Sequence, residues 1–517
     1  MPKRFNTAGP CLIEDHYMLP SEERLPQVRD LIEDGSFFVV HAPRQVGKTT
    51  LMRNLSRQLT AEGKYAALTT SLESFMEGGA ETVMPQLLKN LSWESEYFLP
   101  AECQPPPVAE FTENPLIALK SYLSAWSAAI DRPLVLFLDE ADSVTGSVLL
   151  SLLRQLRDGY TARPRPFPQS VALIGLKDVR DYKIQIRPET ETLGTASPFN
   201  IKVESLTMGY FSPAEVTRLL HQHTQESGQL FKPNAIEEIN RQTGGQPWLV
   251  NALAAQLTTH YNAIVKDRAV PVEQVHVLVA KERLIERRDT HLDSLVSHLH
   301  EKRIKRVIEP ILTGDVPAGD TTYDEDFAYL KDLGLVTVEG GLRRIANPIY
   351  SEIISRVLIH FVQTSIPELP VECARKDGTL DMMGLIEGFL EFWRENGEIL
   401  LRGMSYQEAA PHLVFMGYLQ RVVNGGRVDR EFALGTRRAD LVVHYGTAQK
   451  EVIELKLAQA PKAVARGTRQ VSEYAKRLGL KKGYLILFDR EAVTPWEERG
   501  EVEEVDVDGV TVVVVRA

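Results

Sequence analysis

Residues Ala42-Pro43-Arg44-Gln45-Val46-Gly47-Lys48-Thr49-Thr50 set a lysine and two hydroxyls after a small, turn-forming run. An apolar run, Phe37 to Val40, precedes them, and Leu51, Leu55 and Leu59 follow at helical spacing. A strand, loop and helix of this kind can wrap a polyphosphate. Backbone N–H groups and the positive helix end meet the α and β phosphates, the Lys48 ammonium reaches β and γ, and the Thr49 hydroxyl serves magnesium. Where the strict pattern has glycine this chain has Ala42, whose Cβ is small. The competing explanation, a Gly-Lys-Thr helix start without a ligand, loses ground to Asp139 and Glu140, which end the apolar run Leu134 to Leu138. A carboxylate there can hold magnesium, and its neighbour can orient or deprotonate the attacking water. ATP and Mg2+ are the cofactors expected.

A second constellation lies near the other end of the chain. Asp440 starts DLVVHY, and Glu454 and Lys456 lie in VIELKL, on one face of a strand because side-chain direction repeats every two residues. An adjacent hairpin strand can bring Asp440 beside them. Two carboxylates can bind a hard cation, Mg2+ or Mn2+, and a lysine can position a water or steady charge on a reacting phosphate. The competing explanation is ordinary edge charge around a sheet, which is costly where such groups are packed away unpaired. From Lys456 to Lys482 the bases Lys462, Arg466, Arg469, Lys476, Arg477 and Lys481 face one acid, Glu473, while Arg437 and Arg438 precede Asp440. Such a face can hold a phosphate backbone with salt-sensitive affinity. For any one of these charges, a solvated helix surface explains it equally simply.

The elements that must position these residues follow from patterning. Short apolar runs (FFVV, YAALTTSL, LVLFLD, VALIGL) alternate with helical stretches around 84–91, 115–130 and 147–158, which predicts a parallel sheet covered on both faces. From about 210 the pattern turns helical, with a Ser212 cap and Pro213 at the first position. Between 290 and 360 two helices and a short hairpin around Gly340-Gly341 predict a winged-helix module, with Arg343 and Arg344 beside the turn as phosphate contacts. The last hundred or so residues predict a second α/β domain.

The chain of 517 residues exceeds what a single core supports. Its net charge of -11 gives no global attraction to a polyanion, so nucleic-acid contact would come from a local basic face. Three separated cysteines, Cys11, Cys103 and Cys373, argue against a disulfide framework or a thiolate zinc site, and His221, His223, His298 and His300 lack partner ligands. No run is long and apolar enough to span a membrane, and no export signal is visible; a cytoplasmic protein without membrane attachment is expected.

APRQVGKTT, FLDEAD, ALIGLKDVRDY and GGQPWLVNALA together resemble the AAA-like P-loop ATPases of archaeal and bacterial multidomain proteins, over roughly 15–285. The resemblance implies a polar sensor near Lys177 or Asp178, a γ-phosphate or intersubunit arginine at Arg180, a lid motif at Gly244, Gly245 and Pro247, and a homo-oligomer. Arg180 could equally pair with Asp178 or Asp181. Asp440, Glu454, Leu455 and Lys456 resemble the motif of the PD-(D/E)xK nuclease superfamily, over roughly 400–490, although no proline precedes Asp440. This implies a further metal-binding acid on the preceding helix, Glu408, with Glu431 as the competitor, and accessory roles for Gln470 and Tyr474. The domains expected are a P-loop ATPase core at 1–209, a helical lid at 210–289, a winged-helix module at 290–365, a helical connector at 366–399 and a restriction-endonuclease-like α/β domain at 400–517. The function expected is ATP hydrolysis coupled to metal-dependent cleavage of nucleic acid, DNA above all. The alternative is a DNA-binding or signalling ATPase whose last domain binds without cutting.

Overall fold

Phe37, Phe38, Val39 and Val40 are apolar on both faces, so a strand made of them needs cover on both sides. The computed structural model provides it. It describes residues 2–75, 78–144, 146–176, 202–258, 263–287, 299, 301–313, 316–319, 324–365, 374–375, 377–403, 409–423, 426–434, 437–446, 449–457, 463–488 and 500–517. The chain divides into two compact units, Met1–Glu282 with Asp332–Gly334, and Arg283–Lys331 with Leu335–Ala517.

In the first unit, α1 (Ser21–Arg24) and α2 (Gln27–Glu33) lead into β1 (Phe37–His41), and α3 (Lys48–Ala61) follows the loop. Then come β2 (Ala66–Ser71), α4 (Ala80–Phe98), α5 (Ala118–Ala129), β3 (Leu134–Asp139), α6 (Gly146–Thr161), β4 (Ser170–Gly175) and β5 (Lys202–Thr207). The five strands lie parallel in the order β2-β3-β4-β1-β5. Phe37 and Val39 pack with Leu136, Leu173 and the leucines of α4, α5 and α6; Phe38 and Val40 pack with Phe137, Ile174, Ile32 and Leu55 on the other face. β5 is a departure from the expected pattern: KVESLT is too polar to read as a buried strand, and it pairs with β1 at the sheet edge.

Helices α7 (Pro213–Ser227), α8 (Pro233–Thr243), α9 (Pro247–Thr258) and α10 (Gln274–Arg287) follow. Ser212 caps α7 as its sequence predicts: its Oγ accepts from Glu215 N–H at 3.3 Å, and the Glu215 carboxylate accepts from Ser212 N–H at 2.7 Å. The junction of α8 and α9 requires glycine. Gly245 sits at φ +76°, and a Cβ there would lie 2.0 Å from the Phe211 carbonyl oxygen. Its own carbonyl accepts from Phe211 N–H at 2.8 Å. Gly245→Ala should therefore destabilise this unit by about 2–3 kcal/mol. A melting midpoint equal to wild type in nucleotide-free protein would contradict this.

The second unit opens with α11 (Lys302–Thr313), β6 (Val316–Pro317), α12 (Glu325–Asp332), β7 (Val336–Glu339), β8 (Leu342–Ile345) and α13 (Pro348–Ser365), with a small sheet in the order β6-β8-β7. Helices α14 (Met382–Gly403) and α15 (Ala410–Val422) precede β9 (Gly426–Leu434), β10 (Arg437–Tyr445), β11 (Gln449–Leu457), α16 (Ala463–Arg477), β12 (Lys482–Phe488), β13 (Glu501–Val507) and β14 (Val510–Arg516). Their sheet has the order β13-β14-β12-β11-β10-β9. β9, β10 and β11 form an antiparallel meander, and β12 runs parallel to both β11 and β14. On one face Val471, Tyr474 and Ala475 of α16 pack on Val452, Leu485 and Leu487. Phe488, of opposite parity, meets Phe389, Trp393 and Phe415 of α14 and α15. No helix among the described residues is long and apolar enough to cross a membrane.

Candidate functional site

In the first unit β1 delivers the chain into a loop whose Gln45 (φ 58°) and Gly47 (φ 101°) take left-handed backbone conformations. Ala42 is buried, so a larger side chain at the start of the loop would not fit. Lys48, the first residue of α3, folds back over the loop, and its Nζ donates to the carbonyls of Ala42 (2.7 Å) and Pro43 (3.0 Å). Thr49 Oγ1 donates to Asp139 Oδ2 at 2.5 Å. Arg44 and Gln45 are exposed at the tip and Val46 is buried beneath it. Thr50 Oγ1 accepts from Cys11 N–H at 3.0 Å and ties the N-terminal segment to α3.

Asp139 ends β3, and β4 lies between β3 and the β1 strand that feeds the loop. Its Oδ1 accepts from Glu140 N–H at 2.9 Å, while Glu140 turns the chain with φ 54°. Burial raises the Glu140 pKa, and the charges of Asp139 and Asp142 add to the rise. Burial lowers that of Lys48 against the pull of Glu140, Asp139 and Asp142. The acid and the ammonium thus share one partly dehydrated pocket. Lys177, Asp178 and Arg180 lie outside the described residues.

Beside the loop is a cavity of about 180 Å³. Gln45, Gly47 and Thr50 form one wall, Asn6–Gly9 and Tyr17–Leu19 another, and Phe211, Trp248 and Asn251 a third. Trp248 Nε1 donates to Thr7 O at 2.9 Å, and Gln222 of α7 holds the Met18 backbone by its N–H (3.2 Å) and its carbonyl (2.9 Å). Apolar walls with a few fixed polar groups, next to a phosphate loop, suit a flat ring system. Sequence reasoning missed this wall, because Asn6–Gly9 carries no periodicity and Trp248 shows only as part of a lid motif.

In the second unit the register Val442↔Val452 puts Asp440 on the same sheet face as Glu454 and Lys456. Asp440 Oδ2 accepts from Leu455 N–H at 2.8 Å, and Asp440 N–H donates to Glu454 Oε2 at 3.4 Å. Lys456 Nζ stands 2.7 Å from Glu454 Oε1 and 3.8 Å from Asp440 Oδ2. Glu454 is 1% exposed; burial and then the Asp440 charge raise its pKa to about 8, with Lys456 opposing. Tyr474 is buried over this face, and Gln470 Oε1 is buried without a hydrogen-bond partner. His412 on α15 is a residue that sequence reasoning missed, hidden in the apolar run PHLVF. It is buried, its Nε2 has no partner, and burial pushes its pKa to about 4 while the Asp440 and Lys456 charges act on it in opposite senses. Glu408 and Lys462 lie outside the described residues, and the side chains of Glu431, Arg437 and Arg438 are not described.

Some expected phosphate contacts are engaged within the protein. Arg343 donates to Asp324 at 2.6 Å and covers the Phe327 ring, and Lys482 and Lys476 pair with Glu504 and Asp508. Arg343 thereby braces β8 against the start of α12. Arg466 and Arg469 are solvent-exposed on α16. Among the described residues no group of three or more His, Cys, Asp or Glu side chains gathers as a metal cage. Asp440 and Glu454 alone fit a hard cation that keeps waters of its own.

Residues 30–182 match the family model of an AAA domain, and residues 387–492 that of a domain of unknown function (DUF8371). The first of these regions is an AAA-type P-loop ATPase domain, and a helical lid follows its α/β core. No curated protein matches the sequence. Among solved structures, the chain is similar to a Walker-type ATPase of Pyrococcus abyssi (TM-score 0.49, 14% identity, 68% of this chain and 99% of that one). It is also similar to the RuvB Holliday junction branch migration motor of Thermotoga maritima (0.35, 15%, 64% and 93%). A third is the Aeropyrum pernix ORC1 protein in complex with DNA (0.33, 14%, 66% and 93%). At scores below 0.5 none of these likenesses decides a feature of this chain.

Proposed function

We propose that this ATPase works with a C-terminal domain that cleaves phosphodiester bonds in nucleic acid, DNA above all. The observation that carries the reading is the meeting of Asp440, Glu454 and Lys456 on one sheet face, with Glu454 fully buried and Lys456 against both acids. On the ATPase side, Lys48 leaves its loop carbonyls for the β and γ phosphates, and Glu140 orients the attacking water and takes its proton. Thr49 and Asp139 would hold Mg2+ there, which neutralises phosphate charge.

In the second site Asp440 and Glu454 would hold Mg2+ or Mn2+, which lowers the pKa of a bound water and polarises the phosphate. Lys456 would steady charge on the reacting phosphate. Exposed Arg466 and Arg469 offer a path for the backbone, and we place Gln470 and Tyr474 as supports of the same face. The three-stranded sheet with α11, α12 and α13 is read as a winged-helix module between the two activities, in a protein that assembles as a homo-oligomer.

A second reading has an observation of its own. The close Lys456–Glu454 pair satisfies itself without a cation, as in a domain that grips nucleic acid and does not cut. Incubation with single- and double-stranded DNA and RNA, with and without ATP, in Mg2+ or Mn2+, separates the two. Salt-sensitive binding with no cleavage in any mixture would leave only the gripping domain.

A further inference from the structure

Arg24 belongs to neither the phosphate motif nor the carboxylates, yet its guanidinium is committed in four directions. Nη1 donates to the Val46 carbonyl at 3.0 Å, and Nη2 donates to the Gly209 carbonyl in the hinge between β5 and α7. Its Cζ lies 4.7 Å from the centre of the Phe211 ring, and Nε is 3.9 Å from Glu215, the residue that completes the α7 cap. The side chain is 8% exposed and lines the cavity beside the loop. Three pieces of the unit, the phosphate loop, the hinge and the first turn of the lid, are therefore held by one planar donor.

The contact with Val46 has a geometric consequence for phosphate binding. In a trans peptide the carbonyl and the next N–H point in opposite directions. A guanidinium that holds the Val46 oxygen turns the Gly47 N–H the other way, away from Arg24. Gly47 at φ 101° can adopt that peptide orientation without strain. The other nitrogen fixes the hinge, so a shift of the loop on phosphate binding pulls on Gly209 and on the first turn of α7.

We propose that Arg24 is a positioning residue that presets the Val46–Gly47 peptide for phosphate and transmits its occupancy to the lid. This rests on the reading of the domain as an ATP site. A lysine keeps the charge and cannot span two carbonyls and a ring in one plane.

The test uses full-length protein and two probes, ATP and adenosine, with Arg24→Ala and Arg24→Lys. The ratio of ATP to adenosine affinity is expected to fall by about tenfold or more in both variants, the loss of a charge-assisted hydrogen bond, because whatever the cavity wall loses falls on both ligands alike. Hydrogen exchange over 212–258 should slow on ATP addition in wild type and much less in the variants. A merely structural arginine would weaken both ligands alike and leave the ATP-induced protection in place, and that result overturns the proposal. If Arg24→Ala does not fold, Arg24→Lys decides, since wild-type ATP affinity and lid protection in that variant are equally fatal. Wild-type protein that binds adenosine and ATP with equal affinity would instead remove the phosphate site itself.

Discussion

Replacing Glu140 by glutamine is expected to slow ATP turnover by about 10²- to 10⁴-fold, the usual contribution of a positioned general base, with ATP affinity retained. Glutamine keeps the length of the side chain, and Gln45 shows that this residue type adopts the same left-handed backbone, at φ 58° against 54° for Glu140. The hydrogen bond from residue 140 N–H to Asp139 Oδ1 belongs to the backbone and survives. Thr49 and Asp139 remain together, and Lys48 loses only one of three neighbouring carboxylates. The loss should thus fall on kcat and not on binding, the pattern of an interaction made only in the transition state. Asp139→Asn provides the contrast: it touches the Thr49 hydroxyl directly, so both affinity in Mg2+ and turnover should fall. Single-turnover measurement with saturating ATP checks this, and a Glu140→Gln protein within about threefold of wild type would place the base elsewhere.

The phosphate loop and its acids were legible in the sequence because short-range rules dictate them. Residues Ala42 to Thr49 sit between a buried strand and a helix, and β3 announces its end by two acids after five apolar residues. The cavity wall was not legible, since Asn6–Gly9 reaches the loop only through tertiary contacts such as Thr7 with Trp248. β5 and β13 escaped for a related reason. KVESLT and EVEEVDV lie at sheet edges, where one side of the strand meets solvent and polar residues cost little. EFALGTRRADLVVHYG contributes to two strands, β9 and β10, with residues 435 and 436 between them. In the second site, period-two alternation showed that Glu454 and Lys456 share a face, whereas the pairing of β10 with β11 was needed to bring Asp440 to them. Arg24 and His412 carried no signal, because a lone arginine in a helical turn and a lone histidine in an apolar helix look like ordinary surface and core.

Glu454→Gln should abolish metal-dependent cleavage, by at least about a hundredfold, and the same substitution should change the stability of the metal-free protein in a direction that identifies the cause. In the fold Glu454 holds its proton up to about pH 8, because burial and the Asp440 charge outweigh Lys456. Unfolded, it releases that proton near the ordinary value of about 4.3. Between these values the folded state binds the extra proton, so folding stability falls as pH rises through the window and the loss is complete above about pH 8. Glutamine carries no such proton, and the variant should lose that part of the slope between pH 5 and 8. A divalent cation reverses the balance in wild type: it supplies the positive charge that Lys456 alone does not, and it binds only the folded form, so the melting midpoint should rise with Mg2+ or Mn2+. The variant should show little of that rise. Cleavage is lost on either account if Glu454 merely supports the sheet, but only a cation site couples it to a metal-dependent midpoint. A wild-type midpoint indifferent to both cations, with nuclease products unaffected by the substitution, would leave Asp440, Glu454 and Lys456 as a buried ion cluster that braces β10 against β11.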